Sequence, residues 1–456
     1  MNDSASNYSA RDRATHLHSF TNLHRHLEQD SLVIEHGEGV YLVDAQGRKY
    51  LDAMSSLWCA NLGYSEQRLV DAARRQLQQL PYSHTFRGRS HHKLIELAEK
   101  LVEITPRPLQ KVFFAGSGSE ANESAIKMAW SYHKILGKPA KRKIMARHGA
   151  YHGSTVFATR LCGMPDMHEY LNAHFEEVVS TDLPCFFREA RDGETEEVFS
   201  DRLASQLEAQ ILDHGADTIA AFIAEPVMGV GGVILPPEGY FPKIREILRR
   251  HDILLIVDEV VCGFGRTGRL FGSETYGIEP DILTLAKGIT SAYFPMSAAV
   301  VTGEVYDSLV RASRENGSFS HGFTYSGHPV GAAVALEAIA IIEERDIPGH
   351  VRQVGDYFHD RLRSLESSAI VGDTRSIGLM GGFEIYRDPG PRERFDPSFS
   401  AGSLLMDLAE ENLLFVRAVG DTIVLAPPLI VTEPEIDILI ERLKTSIDLL
   451  EERLSP

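Results

Sequence analysis

The chain has 456 residues, with 46 Lys+Arg against 64 Asp+Glu, a formal net charge of −18, 43% hydrophobic and 24% charged residues. This is the composition of a soluble globular protein, and at roughly 100–200 residues per domain it predicts two or three domains. The acidic surplus argues against nucleic-acid and anionic-membrane partners, because phosphate is repelled over most of such a surface, while a small anion in a locally positive pocket stays open.

Residues 1–30 are polar and carry His16, His18, His24 and His26. Their spacing raises the question of a metal, but no Cys or carboxylate pattern supports one, so a solvated or interface-lying arm is expected and no metal site. The first residues contain no apolar core of the kind a secretory signal needs. No apolar run approaches the roughly 18 residues of a membrane span. Cys59, Cys162, Cys185 and Cys262 lie far apart without a CxxC pair, which predicts reduced thiols in a cytoplasm. GVYLVDAQGRKYLDAM (39–54) reads as a hairpin around Gln46-Gly47.

From about 65 to 330 the pattern alternates. Helical periodicity covers 67–80 and 92–104, KVFFA (111–115) is a short strand, and 119–136 is a helix stopped by Gly137. KIMAR, TIAAFIAE, ILLIVDEV and DILTLA are further buried strands, so a mostly parallel α/β sheet covered on both faces is expected. The segment 185–200 reads as a charged surface insertion. Beyond 330, a helix over 329–345, another over 357–365, strands near SIGLMGGFEIY and TIVLAP and a closing helix over 433–453 suggest a smaller α+β domain, joined in space by the N-terminal hairpin. The division expected is 1–64 (arm and hairpin), 65–330 (large domain) and 331–456 (small domain).

Ligands of such sheets sit beyond the carboxyl ends of the strands. KVFFA is followed by Gly116-Ser117-Gly118-Ser119-Glu120 and a helix. Glycines and free helix N–H groups suit a phosphate, while Ser117 and Glu120 equally suit a capping box. TIAAFIAE ends at Glu225 and ILLIVDEV reaches Asp258-Glu259, carboxylates that are costly at the end of an apolar run unless paired or exposed. Lys287, after DILTLA and before a flexible Gly288, is either a surface lysine or an amine activated by desolvation. Gly263-Phe-Gly265-Arg-Thr-Gly268 matches GxGxxG, but no helical pattern follows and two acidic residues precede it, so it reads as a loop rather than a nicotinamide site. His148 and His152 are spaced i, i+4, yet Gly149 and Gly153 argue against a helical metal pair. Phosphate turn, carboxylate and lysine together describe one cofactor, a phosphorylated pyridine aldehyde.

GSGSEAN (116–122), GAYHGST (149–155), AEP (224–226), VDEVVCGFGRTG (257–268), AKG (286–288) and GFTYSGHP (322–329) resemble, in order, the motifs of class III pyridoxal-phosphate (PLP) aminotransferases over roughly residues 30–450. The resemblance implies a fold-type-I PLP-dependent transferase, usually a homodimer (a tetramer is also open) with shared active sites. It implies Lys287 as the catalytic amine that forms a Schiff base with the cofactor and carries the proton, and Asp258 as the partner of the pyridine nitrogen. Ser117, Gly118 and Ser119, with Thr324 from a second subunit, would bind phosphate. Tyr151 and Val260 would sandwich the ring, and His152 and Glu225 would lie close by.

SSLWCANLGY (55–64) and FVRAVGDTIVLAPPL (415–429) look most like the ω-amino acid and amine:pyruvate transaminases. There Trp58, Tyr151, Phe20 and Phe86 would line the substrate pocket and Arg417 would take the carboxylate of an oxo acid, with pyruvate as the expected acceptor and a primary amine as donor. A planar guanidinium fork suits that carboxylate better than a lysine. Met228, Val230 and Ser376 depart from the family's usual residues at those positions. An aminomutase or decarboxylase of the same superfamily is the nearest alternative, a nicotinamide-dependent oxidoreductase a remoter one.

Overall fold

Strands saturated with Ile, Val, Leu and Ala meet in one central sheet. In the computed structural model, which describes residues 2–171 and 176–454, seven strands lie in the order Leu109–Ala115, Ser297–Thr302, Ile282–Leu285, Leu254–Asp258, Ile219–Ala224, Lys143–Arg147, Val178–Thr181. All but Ser297–Thr302 run parallel. Every residue of Ile219–Ala224 and Leu254–Asp258 is buried, as strands covered on both faces must be. The α/β expectation holds. The sequence reading omits two of these strands. Val178–Thr181 offers only two apolar residues, and Ser297–Thr302 is built of small residues without bulky alternation.

Helices Gln67–Gln79, His92–Ile104 and Gly118–Ile135 form where the periodicity places them. The third starts at Ser117, whose Oγ accepts from the Glu120 N–H, and it is followed by Gly137 at φ +78°, a conformation that favours glycine. The hairpin pairs Tyr41 with Leu51, Leu42 with Tyr50 and Val43 with Lys49. Its strand Lys49–Asp52 also pairs in parallel with Leu414–Phe415, so the two ends of the chain share a four-stranded sheet. A second antiparallel sheet runs Val371–Ile377, Met380–Ile385, Thr422–Leu425, Arg417–Val419.

Segment 185–200 is charged and largely exposed as expected, but it is anchored rather than loose. It contains the short helix Phe186–Glu189 and the first residues of helix Glu196–His214, and Cys185, Phe199 and Ser200 are buried. Arg188 leaves the segment to reach Glu384 Oε1 at 2.8 Å and Thr422 Oγ1 at 2.9 Å. Glu194 is held through both oxygens by Arg202 of the following helix, while Glu189, Arg191, Asp192, Glu196 and Glu197 are exposed, so the segment is a charged surface stretch pinned at a few points.

Residues 259–271 form consecutive turns with no helix. Phe264, Gly265 and Gly268 all have positive φ. The loop reading of GFGRTG is thus the observed one. Arg266 within it is fully buried and donates to Ser55 Oγ (3.0 Å), Asn61 Oδ1 (2.9 Å) and the carbonyls of Leu379 and Pro427, tying the loop to both ends of the chain.

Candidate active site

Asp258 closes the central strand and is 4% exposed. Its Oδ2 accepts from Asn122 Nδ2 at 2.8 Å and His152 Nδ1 at 2.9 Å, and its Oδ1 accepts from the Val260 N–H at 3.0 Å. Both oxygens are therefore fixed in place by N–H donors. Asn122 is in turn set by Thr284 Oγ1, which donates to its Oδ1 at 2.8 Å, and its amide also donates to the His152 carbonyl. Sequence reasoning places Asn122 on a helix face and misses this role. The available signal is a buried asparagine in a helix interior, where that residue is disfavoured. His152 meets Asp258 itself, and among the described residues its buried Nε2 has no hydrogen-bond partner. His148 is exposed while His152 is buried, so the two do not converge.

Glu225 is buried and spends both oxygens on backbone, accepting from the Tyr151 N–H (3.0 Å) and the Gly229 N–H (3.1 Å). Burial pushes its carboxyl above the usual range. It braces the Tyr151 turn. The Tyr151 hydroxyl is 3.0 Å from Ser154 Oγ, and Ser119 Oγ accepts from the Ser154 N–H, linking the Gly116–Glu120 turn to the Tyr151 segment. The capping reading of that turn is the observed one, since Ser117 caps the helix and the Glu120 carboxylate accepts from the Gly116 N–H at 2.6 Å.

Lys287 follows the strand Ile282–Leu285 at φ +50°, a left-handed conformation that costs a side-chain-bearing residue of order 1–3 kcal/mol and recurs at functional sites. Burial pushes its ammonium below the ordinary lysine value, against the pull of Cys59, Asp258 and Glu225. Gly288 is there for space rather than flexibility, since a Cβ on it would lie 2.5 Å from Asn61 Nδ2. A cavity of about 260 Å³ is lined by Gly116, Ser117, Gly118 and Lys287 among others. A Cβ on Gly118 would press within 3.1 Å of Val260.

Lys287 Nζ lies 5.3 Å from the centre of the Trp58 ring, and Arg417 Cζ lies 5.4 Å from the same centre. Trp58 is 2% exposed, and its Nε1 has no partner among the described residues. Its turn is strained, with Ser55, Ser56 and Trp58 all at positive φ. The turn is held by Asp52, which accepts from the N–H groups of Met54 and Ser56. Val230 packs in the same cluster as Trp58, whereas Met228 sits in a separate one with Ala150, Cys185 and Ile234. Ser376 is bonded to His359 at 2.8 Å, away from the pocket.

Three expected residues fall outside this constellation within one chain. Thr324 is exposed, and its carbonyl accepts from Tyr82 at 2.6 Å. Phe86 is 49% exposed and abuts Gly322 of the same loop. Phe20 is 72% exposed.

The residues present fit PLP. A carboxylate fixed by three N–H donors, a partly desolvated lysine and a helix N-terminus opening onto the lysine's cavity supply a ring partner, an amine and an anion cradle. The Aminotransferase class-III family model matches residues 24–447. Gamma aminobutyrate transaminase 1, mitochondrial, of Solanum lycopersicum is 47% identical over 412 residues, which cover 90% of this chain and 80% of that protein. A thermostable omega transaminase 4-fold mutant from Pseudomonas jessenii superposes with a TM-score of 0.97 at 43% identity, over 98% of this chain and 99% of that one. The omega transaminase from Pseudomonas jessenii in complex with PMP gives 0.96 at 43% identity, over 97% and 98%. The chain belongs to the class III aminotransferases, PLP-dependent enzymes of fold type I.

Proposed function

We propose that the enzyme moves an amino group from a primary amine or ω-amino acid to pyruvate in two half-reactions on one site, and that it works as a homodimer. The observation that carries this reading is the Trp58 ring, with Lys287 Nζ and Arg417 Cζ each a little over 5 Å from its centre. One wall thus joins the reacting amine to a cation suited to a carboxylate. When bound, PLP supplies an aldehyde that captures the amine and a protonated ring that draws electrons from the substrate's Cα. Asp258, fixed by Asn122, His152 and the Val260 N–H, would face that ring nitrogen and keep it protonated. Lys287, neutral for more of the time because burial disfavours its charge, takes the proton from Cα and returns it on the cofactor side. Ser117, Gly118 and Ser119 would hold the phosphate with backbone and hydroxyl donors, and Tyr151 and Val260 would flank the ring. The four cysteines are free thiols and fit a reducing compartment such as the cytoplasm. Among the described residues no helix is long and apolar enough to cross a membrane.

Arg417 is half-buried, and burial lowers its pKa. A desolvated guanidinium binds a carboxylate by charge-assisted bidentate hydrogen bonds, worth about 1.5–3 kcal/mol. Arg417→Ala is therefore expected to raise the KM for pyruvate by about 10–100-fold. It should slow the half-reaction of a ω-amino acid similarly, while an uncharged arylalkylamine loses its cofactor chromophore at nearly the wild-type rate. Rapid-scan spectra of each half-reaction, with alanine and carbon dioxide measured in the full reaction, check this. Equal loss for charged and uncharged donors would remove Arg417 from the carboxylate site, and carbon dioxide release in place of alanine would favour a decarboxylase.

A further inference from the structure

The histidine-rich arm lacks a carboxylate pattern only in linear sequence. Helix Asn2–Thr15 presents Asp12 in its last turn, and the chain then folds back through helix Leu23–Glu28. Asp12 Oδ1 lies 3.0 Å from His16 Nδ1, and Asp12 Oδ2 lies 2.7 Å from His18 Nε2 and 3.7 Å from His26 Nε2. The ligand atoms of Asp12, His16 and His18 all fall within 4.8 Å of one another. The His16 and His18 rings are 4.1 Å apart, and the His18 and His26 rings 4.4 Å. His26 has a side-chain exposure of 13%, and its buried Nε2 has no hydrogen-bond partner among the described residues.

We propose that Asp12, His16 and His18, with His26 as fourth ligand, form a binding site for one divalent transition-metal ion of the Zn²⁺ class. An imidazole ring presents a nitrogen lone pair to a metal ion. Three such donors and one carboxylate oxygen match the borderline ligand preference of Zn²⁺, Co²⁺ or Ni²⁺ rather than the all-oxygen preference of Mg²⁺ or Ca²⁺. With metal–nitrogen bonds near 2.0–2.1 Å, tetrahedral ligand atoms stand about 3.3 Å apart. The carboxylate-to-imidazole separations of 2.7, 3.0 and 3.7 Å, shared between the two Asp12 oxygens, bracket that value, and the Asp12, His16 and His18 ligand atoms lie within 4.8 Å of one another, so the ion would draw the imidazoles inward and His26 would close on it last. Ser31 Oγ donates to Asp12 Oδ2 at 2.6 Å and orients the carboxylate from behind. His16, with 60% side-chain exposure, leaves an entry path. The ion would bridge the first helix to the second, beside the Arg13–Asp30 ion pair.

The test uses the full-length, PLP-loaded enzyme, stripped with chelator and titrated with CoCl₂. Ligand-field absorption is recorded, followed by displacement with ZnCl₂ and elemental analysis. One ion per chain and a tetrahedral Co²⁺ spectrum are expected. His16→Ala and His18→Ala should each weaken binding at least about tenfold. His24→Ala should not, since that side chain is 86% exposed and is paired only loosely, with Glu28. Absence of binding, wild-type affinity in both His16→Ala and His18→Ala, or an equal loss in His24→Ala would each overturn the proposal.

Discussion

Two consecutive carboxylates at the end of one strand meet different partners. Asp258 faces Asn122 and His152, whereas Glu259, also fully buried, accepts from the Gly272 N–H (3.0 Å) and from the N–H (2.5 Å) and hydroxyl (2.6 Å) of Ser273. It thereby closes the far end of the GFGRTG loop. Burial outweighs these three bonds and pushes its carboxyl up to about 7. An unfolded glutamate titrates near 4.3, so between about pH 4.5 and 7 the native state binds more protons than the unfolded one. Stability contributed here is present at low pH and lost as pH rises through that window. Glu259→Gln removes the titrating group. The unfolding free energy of wild type minus that of the variant should therefore fall by about 2–3 kcal/mol between about pH 5 and pH 8, given a shift from 4.5 to about 7. Urea unfolding at several pH values measures it, and a flat or rising difference would show that Glu259 stays ionised throughout.

At the scale of elements, one lysine ties several ends together. Lys141, 4% exposed, precedes the strand Lys143–Arg147. Its Nζ donates to the carbonyls of Ala216, Ile219, His251 and Asp252 at 2.7–3.0 Å. The last two follow helix Tyr240–Arg250 and the first two flank the start of strand Ile219–Ala224. Lys141→Met keeps the stem but strands those buried carbonyls, at a cost of about 2–4 kcal/mol in urea unfolding. The KM values should hold, because the site lies at the opposite, carboxyl ends of the strands; a variant as stable as wild type would refute the clamp. Such a residue is hardly legible in sequence, where a lysine near a turn reads as solvent. Asp258 and Lys287 were legible because a charge ending an apolar strand is a costly anomaly that demands an explanation. Asn122, Thr284 and Arg266 act through contacts more than 100 residues away in sequence, and nothing local announces them. The division expected at 330/331 falls inside helix Pro329–Glu344, which packs on Gln67–Gln79 and His92–Ile104 and pairs Glu337 and Glu344 with Arg68. We propose that the small domain begins after this helix.

At the scale of the whole molecule, most of the expected site residues fall into two sets, with Phe20 in neither. Lys287, Asp258, Trp58, Arg417, Tyr151 and the Gly116–Glu120 turn converge, while Thr324 and Phe86 stand on a separate surface with Tyr82, Phe319 and Tyr325. The four aromatics there are 38–66% exposed. Aromatic rings of that size left in water suit a surface that another protein covers, and in the homodimer we propose, a two-fold partner's Thr324 would complete each site. The idea is decided by hybrids. Lys287→Ala removes the reacting amine, and Thr324→Glu sets a negative charge where the phosphate is expected, so each variant alone should be nearly inactive. Co-expressed with different affinity tags and purified through both, they give dimers in which one site carries both lesions and the other neither. Such hybrids should show about half the wild-type activity per dimer, by the symmetry of a two-site dimer. If Thr324 served the Lys287 of its own chain, every site in the hybrid would carry one lesion and the activity would stay at the level of the parents.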